Sequence, residues 1–240
     1  MNIAKKAVLI TGANRGIGRA LVEEALSRGA KKVYAGTRGP WQHFDNRVKP
    51  IILDVTDAVQ IQRVAGEIDS LDVLINNAGI SIPDDLSKPE LIEQHLAVNL
   101  FGSLNVTRAF LPLLKRSKGA IVNNISTLAL APLAIMPGYS ISKAALLSMT
   151  QSLKALLASQ GVTVHAVLTG PVDTGMTRGI DYPKASPESV AGAIFDGMGR
   201  GEEEIFPDPL SQSIAEGWLN GPAKALERLS SAFIPESAAL

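Results

Sequence analysis

The 240-residue chain balances 23 Lys plus Arg against 23 Asp plus Glu, so no net basic field draws it to nucleic acid or to an anionic membrane surface. It has no cysteine, which removes disulfides, thiolate metal sites and thiol nucleophiles together. Its 46% hydrophobic and 19% charged residues are those of an ordinary globular protein, of a length that suits a single α/β domain. His43, His95 and His165 are scattered with no ligand spacing and read as structural, so no metal is expected, although an oxygen-only site stays open. The apolar run at the N-terminus is too short for a signal peptide, and no stretch approaches the ~20 apolar residues of a membrane span. The expected location is the cytoplasm.

Residues 7–10 read as a buried strand, and 19–27 carry helical periodicity. Between them lies Thr11-Gly12-Ala13-Asn14-Arg15-Gly16-Ile17-Gly18. Glycines there let the backbone approach a pyrophosphate, and the following helix N-terminus offers free N–H groups and partial positive charge. The spacing Gly12, Gly16, Gly18 departs from the more familiar G-x-G-x-x-G, and a tight turn without a ligand would share it. The second strand spans 32–36. An acidic residue that binds a ribose 2′-hydroxyl would close this strand in an NAD-binding unit. Here Thr37 and Arg38 stand in its place. A guanidinium pairs with a 2′-phosphate that a carboxylate would repel, and Arg15 is in reach of the same group. Two cations and no acid argue for NADP over NAD.

Residues 39–47 are polar and turn-rich, and little or no helix is expected there. The third strand, 48–53, ends at Asp54-Val55, where the acid is placed to accept a bond from an adenine amino group. A helix over 57–68 starts at the capping pair Thr56/Asp57. The fourth strand, 71–75, runs into Asn76-Asn77-Ala78-Gly79, whose small residues let the chain pass close to a ribose. A long helical region over 89–116 carries the polar Asn99 in its middle. The fifth strand, 119–125, has Ser126 at its carboxyl end. Ligands of open α/β sheets bind at such ends. Gly12, Thr37, Asp54, Asn77 and Ser126 all fall there.

The helix over 139–159 begins with Tyr139-Ser140-Ile141-Ser142-Lys143. Positions i and i+4 share a helix face. A lysine one turn from a phenol favours the phenolate and lowers the tyrosine pKa, which makes a proton donor and acceptor for an alcohol or carbonyl oxygen. Ser126 is placed to hydrogen-bond that same oxygen. Apolar residues cover more than one side of this helix, so one face meets the sheet and another is available to a partner subunit. The sixth strand, 162–168, ends in Thr169-Gly170-Pro171-Val172-Asp173-Thr174. A substrate loop over 175–187, a helix over 187–199 and a short seventh strand over 203–206 follow. The extension 207–240 holds a helix or two before an Ala-rich end. No interdomain linker is visible.

These pieces together resemble the short-chain dehydrogenase/reductase family. The matching motifs are Thr11-Gly-x-x-x-Gly-Ile-Gly18, Asp54-Val55, Asn76-Asn-Ala-Gly79, Asn99, Ser126, Tyr139-x-x-x-Lys143 and Gly170-x-Val-x-Thr174, in order, over residues 1 to about 206. The resemblance implies a doubly wound (Rossmann) parallel sheet of seven strands in the order 3-2-1-4-5-6-7. It also implies hydride transfer between NADP(H) and a ketone, aldehyde or secondary alcohol. Tyr139 would be the general acid in reduction and the base in oxidation. Lys143 would lower its pKa and hold the nicotinamide ribose, Ser126 would orient the carbonyl, and Asn99 would anchor a water. The implied cofactor residues are Gly12, Asn14, Arg15, Gly16, Ile17, Gly18, Thr37, Arg38, Asp54, Val55, Asn77, Ala78, Gly79, Tyr139, Lys143, Gly170, Val172 and Thr174. The family commonly forms tetramers, so a homo-oligomer is expected. Two departures stand out: Thr169-Gly170 replaces the usual Pro-Gly, and the connection between Arg38 and Val48 is short. The alternative is a non-catalytic NADP-binding sensor or scaffold on the same fold. An epimerase or dehydratase of the longer related class is disfavoured by the glycine spacing.

Overall fold

Runs of aliphatic residues define the sheet. The computed structural model describes residues 1–179, 181–231 and 233. β1 (Ala7–Thr11), β2 (Lys32–Thr37), β3 (Val48–Ile52), β4 (Val73–Asn76), β5 (Ala120–Asn124), β6 (Thr163–Val167) and β7 (Glu204–Ile205) form one parallel sheet ordered β3-β2-β1-β4-β5-β6-β7. Every residue of β1, β4 and β5 is buried. Helices cover both faces, so the strands have no solvent side that calls for polar alternation. Val8 and Ile10 pack with α1 (Gly16–Ser27) and α6 (Pro187–Arg200) through Leu21, Val22, Phe195 and Met198. Leu9, pointing the other way, joins α2 (Ala58–Glu67), α4 (Ser103–Ser117) and α5 (Pro137–Leu157) through Ile61, Phe110, Leu114 and Leu153.

The expected elements are present, with boundaries shifted by one to three residues. Leu53, Ile125 and Leu168 lie just past their strands yet still donate ladder bonds to Thr37, Val167 and Ile205. β2 joins β3 without a helix. Asp57 caps α2, accepting from Val59 and Gln60. The helical region over 89–116 differs from a regular helix. α3 (Pro89–His95) passes into α4 through a π-helical stretch, Leu96–Gly102, that carries Asn99. Gly102 in that stretch presses on Val55, where an added Cβ would sit 2.6 Å from Val55 Cγ2. The continuous helix Pro89–Ser117 is long and apolar enough to cross a membrane by length and composition, which the sequence reading did not anticipate. Its apolar side packs against the sheet through Val106, Phe110, Leu111 and Leu114.

The extension forms α7 (Pro209–Leu219) and α8 (Pro222–Ser230), while the Ala-rich end lies outside the described residues. A charged cluster ties α8 down. Lys224, 2% exposed, donates to Glu203, Glu204 and Glu227 at 3.2, 2.5 and 3.1 Å. Lys154 of α5 reaches Glu203 and Glu227 at 2.8 and 2.5 Å. Among the described residues these three glutamates are the one group spaced to ligate a metal, and the two ammonium groups already occupy their oxygens.

Candidate active site

The glycine turn is built for close approach. Gly12 and Gly16 adopt φ +67° and +52°, a conformation that side chains disfavour. A Cβ on Gly18 would overlap the Gly12 carbonyl oxygen. α1 begins at an extended Arg15 with no side-chain cap and no acidic residue in its first turn, so its leading N–H groups are left for an anion. Asn14 and Arg15 are exposed, and Ile17 packs partly against the core. Thr174 reaches across to this turn, its methyl 3.1 Å from where a Gly16 Cβ would stand. The same threonine caps a short helical turn, Gly175–Thr177.

At the end of β2, Arg38 is exposed, and among the described residues neither it nor Arg15 pairs with a carboxylate. Thr37 is buried and spends its hydroxyl proton on the Gly39 carbonyl at 2.6 Å. Asp54 uses one oxygen to hold Thr56 through its N–H (2.9 Å) and hydroxyl (2.7 Å). Val55 is buried beneath, against Gly102. Asn77 and Ala78 donate their N–H groups to the Thr11 hydroxyl, both at 3.0 Å. A Cβ on Gly79 would sit 3.2 Å from Asn99 Oδ1 and 3.8 Å from Lys143 Nζ, so its absence leaves a gap between them.

Tyr139 and Lys143 occupy the first two turns of α5, both buried. The Tyr139 hydroxyl lies close enough to Ser126 for the serine to offset part of its burial, and the Ser126 Oγ accepts from the Leu128 N–H at 3.1 Å. Lys143 Nζ lies 5.6 Å from the Tyr139 ring centroid and donates to the Asn124 carbonyl at 2.8 Å. Asn99 accepts from the Ile80 N–H at 2.9 Å and donates to the Ile80 carbonyl at 3.0 Å and the Ser142 hydroxyl at 2.9 Å. Its side chain thus locks the segment after β4 onto α5. The four expected catalytic positions do converge. Gly170 and Val172 lie in the turn after β6, where the Gly170 N–H donates to Asp208 at 2.7 Å and Val172 bridges Ala185.

One electrostatic expectation is reversed. Lys143 does not hold the phenol low in the protein alone. Burial pushes Tyr139 up to about 12, against a smaller opposite effect of Ser126. Burial likewise brings Lys143 down to about 8. Both shifts share one cause, since removal from water penalises phenolate and ammonium alike.

Several supporting residues escaped the sequence reading. Met136, before α5, provides no side-chain cap; Asp84 does so from the loop after β4, accepting the Gly138 N–H at 3.0 and 3.2 Å. His95 is structural, as expected. Its Nδ1 donates to the Leu91 carbonyl at 2.7 Å, so Nε2 accepts from the Ile82 N–H at 2.9 Å. Asn124 and Thr169, polar residues at the ends of apolar strands, were the visible signal that went unused.

Residues 6–184 match the short chain dehydrogenase family, and the chain belongs to that family. It is an oxidoreductase of the doubly wound α/β class. A short-chain dehydrogenase from Burkholderia cenocepacia J2315, solved in complex with NADP, is 39% identical and superposes with a TM-score of 0.86 over 95% of this chain and 99% of that one. The 3-oxoacyl-(acyl-carrier-protein) reductase FabG of Vibrio cholerae is 32% identical over 193 residues, 75% of this chain and 79% of that protein. Estradiol 17-beta-dehydrogenase 2 of Mus musculus is 33% identical over 233 residues, 90% of this chain and 57% of that protein.

Lys143 yields a stability prediction with a definite sign. Between pH 8 and 10.5 the unfolded chain holds a proton that folded Lys143 has released. The contribution of this group is therefore least favourable below pH 8 and improves as pH rises, by up to about 1.4 kcal/mol per unit. The Tm of the wild type minus that of Lys143→Met is expected to grow from about pH 7.5 to about 9.5. A pH-independent difference contradicts the depressed pKa.

Proposed function

We propose that this chain catalyses hydride transfer between NADP(H) and an apolar ketone or aldehyde, or the matching alcohol. The observation that carries this reading is the buried Ser126–Tyr139–Lys143 cluster, set at the carboxyl edge of the sheet beside the glycine turn. The residues present fit NADP: a turn whose missing Cβ atoms leave room for a pyrophosphate, a helix start without acid, and two arginines without carboxylate partners among the described residues. The bound cofactor supplies or accepts the hydride. Gly12, Asn14, Arg15, Gly16, Ile17 and Gly18 hold its phosphates, and Arg15 and Arg38 take the 2′-phosphate. Asp54 and Val55 would flank the adenine, and Asn77, Ala78 and Gly79 would line the ribose path. Gly170, Val172 and Thr174 would meet the carboxamide end.

Tyr139 is protonated at neutral pH, as any phenol of ordinary pKa is, and burial only raises that pKa further; this is the state a proton donor to a carbonyl oxygen needs. Ser126 orients that oxygen. Lys143, still largely charged at pH 7, stabilises negative charge as it develops and holds the ribose hydroxyls. Asn99 keeps Ile80 and α5 in register beneath the site. Leu133, Ile135, Met176 and Tyr182 are exposed apolar side chains on the stretch 127–137 and the loop over 175–187. They support an uncharged, apolar substrate taken between 127–137 and the loop over 175–187. The relatives' names point to a 3-oxoacyl chain in one case and a steroid in another, so the choice of carbonyl rests on these loops.

Tyr139→Phe is expected to lower kcat for carbonyl reduction by about 10²–10⁴-fold and leave NADPH affinity near wild type. Wild-type turnover in this variant rules the mechanism out. Arg38→Asp should weaken NADPH relative to NADH by about 10–100-fold, read from kcat/KM with each cofactor. An unchanged ratio excludes Arg38 from the 2′-phosphate site. The exposed Phe101 and Ile141, on the π-helical stretch and α5, support a homo-oligomer formed through these helices. Light scattering at micromolar concentration should give a dimer or tetramer, and a monomer mass refutes this.

A further inference from the structure

A row of hydrogen bonds crosses the carboxyl edge of the sheet from β6 to β1. Thr169 Oγ1 donates to Asn124 Oδ1 at 2.7 Å, and Asn124 Nδ2 donates to Asn77 Oδ1 at 3.0 Å. Asn77 Nδ2 donates to the Thr11 and Gly12 carbonyls at 3.0 and 3.3 Å. The direction of the row is forced from one end. Carbonyl oxygens only accept, so Asn77 turns its NH₂ group to them and its oxygen toward Asn124. Asn124 must then present its NH₂ group to Asn77 and its oxygen to Thr169, and the Thr169 hydroxyl must donate. Asn124 is 9% exposed and Thr169 6%, so water does not readily replace these bonds.

The same two residues fix the catalytic end of the edge. The Asn124 carbonyl is the acceptor for Lys143 Nζ, and Ser126 lies two residues further on. The Thr169 carbonyl accepts the Thr127 N–H at 3.0 Å. The next residue, Gly170, is pinned to Asp208, and a side chain there would overlap that carboxylate. Lys143, Ser126 and the turn after β6 therefore share one polar anchor.

We propose that Asn124 and Thr169 are positioning residues for the nicotinamide half of the cofactor, acting through Lys143 and the turn after β6. This rests on the hydride-transfer reading. On that reading the nicotinamide would be held beside Tyr139, whereas the 2′-phosphate would be held by Arg38 at the end of β2, with β1 and β4 between β2 and β5. Asn77 keeps its own bonds to Thr11 and Gly12 when Asn124 or Thr169 changes, so the phosphate end is left in place.

The test compares NADPH with 2′-phospho-ADP-ribose, which lacks the nicotinamide, by titration of the purified full chain. Thr169→Val keeps the shape and deletes the donor; Asn124→Leu removes the amide; Thr169→Ser retains the hydroxyl. Thr169→Val and Asn124→Leu are each expected to weaken NADPH by about tenfold while the fragment stays within about twofold of wild type. Thr169→Ser should match the wild type, and the double variant should be little weaker than the worse single one, because the two share a bond. NADPH affinity unchanged in Thr169→Val, or equal losses for NADPH and the fragment, overturns the inference and leaves the hydride-transfer reading standing. A wild-type chain that binds no NADPH overturns both. Should Asn124→Leu fail to fold, the near-isosteric Thr169→Val decides the question alone.

Discussion

Lys143 places an ammonium group where water does not reach, and much of the site answers that cost. A buried charge is tolerated only with hydrogen-bond partners and a shifted pKa. Lys143 has both, through the Asn124 carbonyl and a pKa brought down to about 8. The acceptor must itself be held, and the Asn124 side chain is held from two sides, by Asn77 and Thr169. The same dryness raises the Tyr139 pKa to about 12. Burial, more than the pairing of Tyr139 with Lys143, sets the direction of both pKa shifts in the protein on its own.

α5 carries both groups and is therefore fixed from several directions. Its N-terminus is capped from a distance by Asp84, and His95 ties the loop that bears Asp84. Asn99, on the π-helical stretch, bonds Ser142 on the same helix. π-Helical turns recur at functional sites because they reorient a side chain that a regular helix would direct elsewhere. A second polar set lies deeper, where Asn123 links Asn76 to Thr150 of α5. Consecutive residues of β4 and β5 point to opposite sides, so Asn76 with Asn123 anchors the helix while Asn77 with Asn124 anchors the edge.

The C-terminal extension belongs to this arrangement as well. Asp208 caps α7 and at the same time accepts the Gly170 N–H, so the turn after β6 is coupled to the tail. Lys224 and Lys154 bind α8 to β7 and α5 through three glutamates. Removing one partner from such a buried set is costly, since it strands the remaining charge.

The strands, the helices and the placing of Gly12, Thr37, Asp54, Asn77 and Ser126 at strand ends were legible from local signals, apolar periodicity and glycines at a strand-to-helix turn, while the strand order and the grouping of Asn99, Ser126, Tyr139 and Lys143 came from the family resemblance. The Tyr139 and Lys143 pKa directions were not, because sequence spacing reports the distance between two groups and says nothing of the water each one loses. Nor were the cap from Asp84 across more than fifty residues, the π-helical turns around Asn99, or the bond from Thr169 to Asn124. The sequence by itself determined which chemical groups are present and at which strand ends they stand. Only the tertiary structure decided which of them are dry, which donate to which, and how the carboxyl edge is braced, because desolvation and long-range hydrogen bonds exist only once the chain has closed on itself.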